Sequence, residues 1–306
     1  MQDKHKWHIG ATISLIMAVL CWSTVPLFLR CFTPYIDGWT ANGYRYPLAP
    51  IFYLPWLFNF LKKKDVDRKI WRMSLFPAVC NLTAQCLWAW APYYIEPGLI
   101  GFLLRATILW SIIGSFFLFK DERSLIKSKR FWNGIILATI GFIGVSSGGK
   151  TLPSGGIFMG NILVLGCSLF YALYNLGVRR NLVDVDPRLA FAVISLYTSI
   201  GTVILMIALG EPKAFYHLSW DILSLIVISS IIGIGIAHVL NYIAMKHIGV
   251  AISSSTSLIG IFITVILSYF IYGERLTIRQ WFAGSLIMIG GSFLIWSQER
   301  VRKQYQ

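Results

Sequence analysis

The chain has 306 residues, of which 56% are hydrophobic and 13% charged, with a formal net charge of +14. A mean hydropathy of +0.66 leaves no stretch polar enough for a water-soluble domain, so a two-domain soluble protein of this length is excluded. The positive charge is spread over short connectors and does not form one basic patch, which argues against a nucleic-acid partner.

Ten apolar stretches follow one another at roughly 9–30, 38–60, 73–94, 98–119, 131–148, 156–178, 188–209, 220–243, 250–272 and 279–297. Each approaches the roughly 20 residues needed to cross a bilayer as a helix. The basic start runs straight into the first stretch, which reads as a retained anchor rather than a cleaved signal. With the N-terminus in the cytoplasm, 20 Lys and Arg fall on the inner side and five on the outer side. That bias predicts ten spans with both ends cytoplasmic, in the cell (inner) membrane. The inner basic runs would also meet anionic lipid headgroups.

The first span carries Trp22 and Pro26. The second carries Arg45 with Pro47, Pro50 and Pro55, and the third Pro77 and Pro92. Proline breaks the helical hydrogen-bond ladder, and freed carbonyls are tolerated only beside protein or a watery cavity. The prolines therefore predict a cavity against the first three spans, with static kinks as the competing reading. Asn81, Gln85 and Trp88 stand at i, i+4, i+7 on the third span. Their amides would be unsatisfied in lipid, so that face must meet protein or water. Arg105 lies in the fourth span. Like Arg45 it is seven residues in, roughly 10 Å deep at 1.5 Å per residue. A guanidinium stays protonated and is costly inside a membrane unless it faces a cavity or a partner. Two such forks at one level could hold a carboxylate or phosphate bidentately; alternatively they bond broken-helix carbonyls or support a gate.

The fifth span ends in Gly144-Val145-Ser146-Ser147-Gly148-Gly149-Lys150-Thr151, which satisfies a phosphate-loop pattern but lacks the preceding strand and following helix that such a loop needs. It reads as a helix stop, and neither ATP nor another nucleotide is an expected ligand. On the sixth span Asn161, Ser168, Tyr171 and Asn175 share a face. Helix-to-helix hydrogen bonding is the competing reading for both polar stripes. His238, with Asn241 and Tyr242 on its face of the eighth span, is the one deep group that titrates near neutrality, a candidate for proton coupling or a packing histidine. Trp22, Trp88 and Tyr171 could wall an organic solute. The five cysteines form no CxxC pair, and neither a metal-ligand cluster nor a nucleophile–base pair is visible, so no cofactor and no catalysis are expected.

The chain reads as two halves, 9–148 and 156–297. The fourth span ends Phe119-Lys120-Asp121-Glu122-Arg123 and the ninth Ile271-Tyr272-Gly273-Glu274-Arg275, and Trp22 and Arg30 align with Tyr171 and Arg179. Five spans per half is an odd number, so the second copy is inserted upside down, as in inverted-repeat transporters. Glu122 and Glu274 sit at equivalent helix ends, where a structural pairing with neighbouring cations is favoured.

At these residues the sequence resembles the drug/metabolite transporter superfamily in its EamA branch. The likeness rests on Cys21-Trp22-Ser23-Thr24-Val25-Pro26, on Arg45, and on Ile248-Gly249-Val250-Ala251 through Gly273-Glu274-Arg275-Leu276-Thr277. It departs at Lys120-Asp121-Glu122 and at Arg105. The resemblance implies an all-α integral membrane protein of ten transmembrane helices as two inverted five-helix repeats. It further implies a secondary transporter of small metabolites, often an exporter, that uses no ATP. From the two arginines the expected solute is anionic or zwitterionic, such as an amino acid. The alternatives are an uncoupled facilitator of the same solutes, or a non-transporting membrane sensor or assembly protein. The expected partners are the solute, the bilayer and protons, with the chain a monomer or a homodimer.

Overall fold

The computed structural model describes residues 2–51, 53–62, 68–146, 156–182, 184–248 and 258–305. Among them the α-helices are α1 (Gln2–Phe32), α2 (Gly38–Ile51), α3 (Leu54–Lys62), α4 (Arg68–Trp90), α5 (Pro97–Leu103), α6 (Ala106–Leu118) and α7 (Lys129–Ser146). They continue as α8 (Ile157–Asn181), α9 (Pro187–Leu209), α10 (Trp220–Ser230), α11 (Ala237–Ile248), α12 (Ile259–Tyr272) and α13 (Ile278–Tyr305). No strand occurs among the described residues. Six helical segments are long and apolar enough to cross a membrane: Ile9–Phe32, Pro97–Leu118, Ile157–Asn181, Pro187–Leu209, Trp220–Ala244 and Ile278–Gln298. The outer surface is correspondingly apolar, with Phe158, Ile207 and Phe270 each exposed by two-thirds or so. In water such a surface would be an aggregation liability; against lipid it is the expected face.

Of the four stretches of the sequence not among these six segments, the second and the ninth differ for local reasons. The expected second span is divided into α2 and α3, with Pro47 and Pro50 in α2 and Pro55 in α3. Ile259–Tyr272 is a shorter apolar helix, and the start of its stretch lies outside the described residues, as do most of Ile248–Ala251 and of the Gly144–Thr151 motif.

Two further spans are interrupted without proline. Between α5 and α6 the amides of Arg105, Thr107 and Ile108 reach back three residues instead of four, to Phe102, Leu104 and Arg105. Between α10 and α11 the chain takes one π-helical stretch, Ile231–Ile236, containing Gly233 and Gly235. Such insertions leave carbonyls that other groups must satisfy. Here the Tyr53 hydroxyl donates to Gly235 O at 2.6 Å, and the Ser230 hydroxyl donates to Arg45 O. Conversely, Pro26 and Pro77 sit inside unbroken α1 and α4.

Helices pair mainly across the two halves. α4 packs on α8, α1 on α11, α2 on α9, and α6 on α8, while α1 also meets α12. The most extensive pairing is α7 with α13, where glycines bring the backbones together. A Cβ built on Gly290 would stand 2.7 Å from Gly134 O, and one on Gly141 would stand 2.6 Å from Ala283 O. Small residues at such crossings are how membrane helices approach closely.

Candidate functional site

A cavity of about 460 Å³ lies between the halves, within the size range of small-molecule sites. Of the residues singled out from the sequence, Trp22, Arg45, Gln85, Trp88, Arg105, Tyr171, Asn175, His238 and Asn241 all line it. Asn81 does not. Its amide nitrogen donates to Thr198 Oγ1 of α9 at 3.1 Å, so this member of the stripe joins two helices. The prolines point to the cavity less well: of the six in the first three spans only Pro26 lines it, and the second half supplies as much of the wall.

Arg45 is 1% exposed. Its Nε donates to Ser229 Oγ of α10 at 2.9 Å, while Nη1 is buried without a partner. Arg105 sits at the α5–α6 break, and its Nε is likewise buried and unpartnered. A permanent cation so placed is a standing demand for an acceptor. No Asp or Glu lines the cavity among the described residues.

The neutral wall is organised around α4, α8 and α11. The Gln85 amide donates to the Tyr171 hydroxyl at 2.5 Å, and Tyr171 meets Trp88 edge-on at 6.5 Å. Asn42 holds the Gln85 carbonyl at 2.7 Å, fixing that turn of α4. His238 lies among rings: Phe191 stacked at 5.3 Å, Trp22 edge-on at 5.3 Å and Tyr174 edge-on at 6.3 Å. Tyr174 in turn shares a hydroxyl hydrogen bond with Tyr242.

The two ends of the bundle differ. The cavity reaches Leu182, Val185 and Pro187 at the α8–α9 connector, together with Arg179 near the end of α8 and Gln298 of α13. At the opposite end no described residue of the connectors 33–37, 91–96, 210–219 or 273–277 lines it. That end is tied across the halves instead. Glu211 N donates to Thr40 Oγ1 at 2.8 Å, the Tyr44 hydroxyl to Pro212 O at 2.8 Å, and the Tyr272 hydroxyl to Leu27 O at 2.7 Å. Glu274, 4% exposed, accepts from Gly98 N at 2.8 Å and from the Ser268 hydroxyl. Burial raises its pKa above the ordinary carboxylate value, opposed by those two donors. The pairing with a neighbouring cation expected for Glu274 is not found: backbone and hydroxyl donors hold the carboxylate instead; the Glu122 side chain lies outside what is described.

Arg179 is the residue that sequence reading did not place here. It was counted with the cytoplasmic positives, yet its guanidinium lies over the Phe119 ring at 3.9 Å and its side chain lines the cavity mouth. Ser229, Gly233, Gly260 and Thr264 were also missed. The usable signal was the Gly233–Gly235 pair within the eighth span.

Comparison with known proteins agrees with this architecture. A model of the EamA-like transporter family matches residues 9–147 and again 158–297. An uncharacterized transporter from Haemophilus influenzae is 26% identical over 194 residues, and the matched region spans 62% of this chain and 62% of that protein, less than two-thirds of its length. A solved crystal structure of a protein 16% identical superposes with a TM-score of 0.63, over 94% of this chain and 97% of the other, a likeness of fold alone. With spanning-length apolar helices and the family's pattern matched twice, this integral membrane protein belongs to the EamA-like transporter family.

Proposed function

We propose that the protein is a secondary transporter, acting as an exporter of a small anionic or zwitterionic organic metabolite of the amino-acid class, by alternating access. The observation that carries this reading is the pair of guanidiniums, Arg45 and Arg105, which line a central cavity that has no carboxylate among its described lining residues. The cavity reaches one end of the bundle and is tied off from the other, as one of two alternating states would be. Gln85, Tyr171, Asn175 and Asn241 supply neutral donors and acceptors, and Trp22 and Trp88 supply apolar wall.

The reading takes the chain as ten spans in two inverted repeats, 9–148 and 156–297, with both termini cytoplasmic in the inner membrane. The helix pairings support it. Exchanging the halves maps α4–α8 onto α11–α1 and α6–α8 onto α12–α1, and leaves α2–α9 and α7–α13 on themselves. The test is flux in proteoliposomes. Accumulated solute should move only with the protein present, and Arg105→Ala should abolish that movement; unchanged affinity and rate in Arg105→Ala would refute the site.

Uncoupled facilitation is a second reading favoured by one observation: no acidic side chain lines the cavity among the described residues, and His238 is held among rings. An imposed proton gradient that drives accumulation, lost in His238→Ala, decides for coupling. Accumulation indifferent to the gradient decides for the facilitator.

A further inference from the structure

Resting on the transporter reading, the geometry points to a narrower cargo: we propose a small two-ended dianion, with one acidic group on Arg45 and the other on Arg105. The two forks reach the cavity from opposite sides of α1. Arg45 Nη2 lies 3.6 Å from where a Cβ on Gly233 would stand, and that position is 2.6 Å from Val25 Cγ2. Arg105 Nη2 lies 3.4 Å from where a Cβ on Gly260 would stand, and that position is 3.0 Å from Ser23 Oγ. Ser23 and Val25 are two residues apart, which is about 200° around the helix and roughly 3 Å along it. Trp22 and Pro26 face the cavity between them. We therefore place the forks on different faces of α1, a helix diameter (~10 Å) apart, a spacing that the chain-length series below measures. Both glycines make room for the α1 side chains Val25 and Ser23, and a guanidinium nitrogen lies in ordinary contact beside each.

Charge selects among cargoes of that length. Arg45 Nη1 and Arg105 Nε are buried without partners, and among the described residues no carboxylate lines the cavity to neutralise either. A monoanion answers one fork and leaves the other buried and uncompensated. A zwitterion answers one fork and adds an ammonium, for which the described lining holds no acidic side chain. A single phosphate carries enough charge but cannot touch both forks at once. A solute with carboxylates at its two ends, lying along Trp22, answers both bidentately.

The experiment uses the purified full chain in detergent and in proteoliposomes, with straight-chain α,ω-dicarboxylates of increasing length as probes. Monocarboxylates, inorganic phosphate and a neutral amino acid are the comparison. Binding is read by quenching of tryptophan fluorescence and by thermal shift, and transport by counterflow. The expected result is a dicarboxylate optimum at one chain length, with monocarboxylates weaker by roughly 30-fold or more, the loss of one buried charge contact. In Arg105→Gln that preference should collapse, leaving dicarboxylate and monocarboxylate nearly equal. Arg45→Lys, which keeps the charge but not the fork, guards against misfolding and should shift the optimum length. If the amino acid, the monocarboxylate or phosphate binds and moves as well as every dicarboxylate, the two-ended cargo is overturned while the transporter reading stands. If no solute moves or binds, both are overturned.

Discussion

Arg30 and Arg179 occupy equivalent positions in the two halves, yet they sit in opposite situations. Arg30 Nη1 donates to Pro92 O at 2.7 Å, beside the end where Glu274, Thr40 and Tyr272 tie the halves together. Arg179 lines the mouth of the cavity at the other end, over Phe119. The contrast teaches that an arginine at matching helix ends can serve as a tie or as a lining, depending on which end is shut. In the inverted-repeat reading the two would exchange roles when the cavity opens the other way.

The largest expected effect contrasts the ends directly. Val185→Cys, at the cavity mouth, should react with a water-soluble maleimide faster than Leu99→Cys, beneath the tied end, by about 10- to 1000-fold, reflecting a minor opposite state of 0.1–10%. Equal rates would remove the distinction. Next, Glu274→Ala leaves Gly98 N–H and the Ser268 hydroxyl without their acceptor, at a cost of about 1–3 kcal/mol. Melting temperature should fall and labelling of Leu99→Cys should rise, while Glu274→Gln, which keeps an acceptor oxygen, should restore most of both.

The third prediction concerns pH. The pKa of Glu274 is raised on folding, so the structure favours its protonated form. The resulting stabilisation is complete below the ordinary carboxylate pKa and is lost as pH rises through the raised value. Labelling of Leu99→Cys, divided by that of Val185→Cys to cancel the thiol's own ionisation, should therefore quicken with rising pH across that window, and this residual slope should vanish in Glu274→Gln; an opposite slope would contradict the sign. The smallest effect is expected from Arg30→Ala, which removes one partly exposed bond worth about 1 kcal/mol. It should speed labelling at the tied end by roughly fivefold, whereas Arg179→Ala, which removes the matching tie of the opposite state, should slow it.

The sequence made the membrane class, the two halves and both cavity arginines legible, because a charge in an apolar run has few tolerated explanations. It separated Gln85 from Asn81 poorly. Both belong to one stripe, and only the position of Thr198, far along the chain, decides which faces the cavity. The breaks at Arg105 and at 231–236 were equally hidden. Neither contains proline, and the π stretch depends on Tyr53, more than 180 positions away in sequence, to satisfy the carbonyl of Gly235. Arg179 was obscured by its own sign, since a cation near a cytoplasmic helix end is what topology alone would place there.

The glycine-mediated pairing of α7 with α13 carries a mechanical consequence. Backbone against backbone, with no room for even one methyl group at Gly290 or Gly141, these helices can neither slide nor spread without losing their contact. In the alternating-access reading they would form a spine around which the remaining helices swing. Stapling α7 to α13 covalently should leave turnover intact, whereas the same staple between α1 and α11 should stall it.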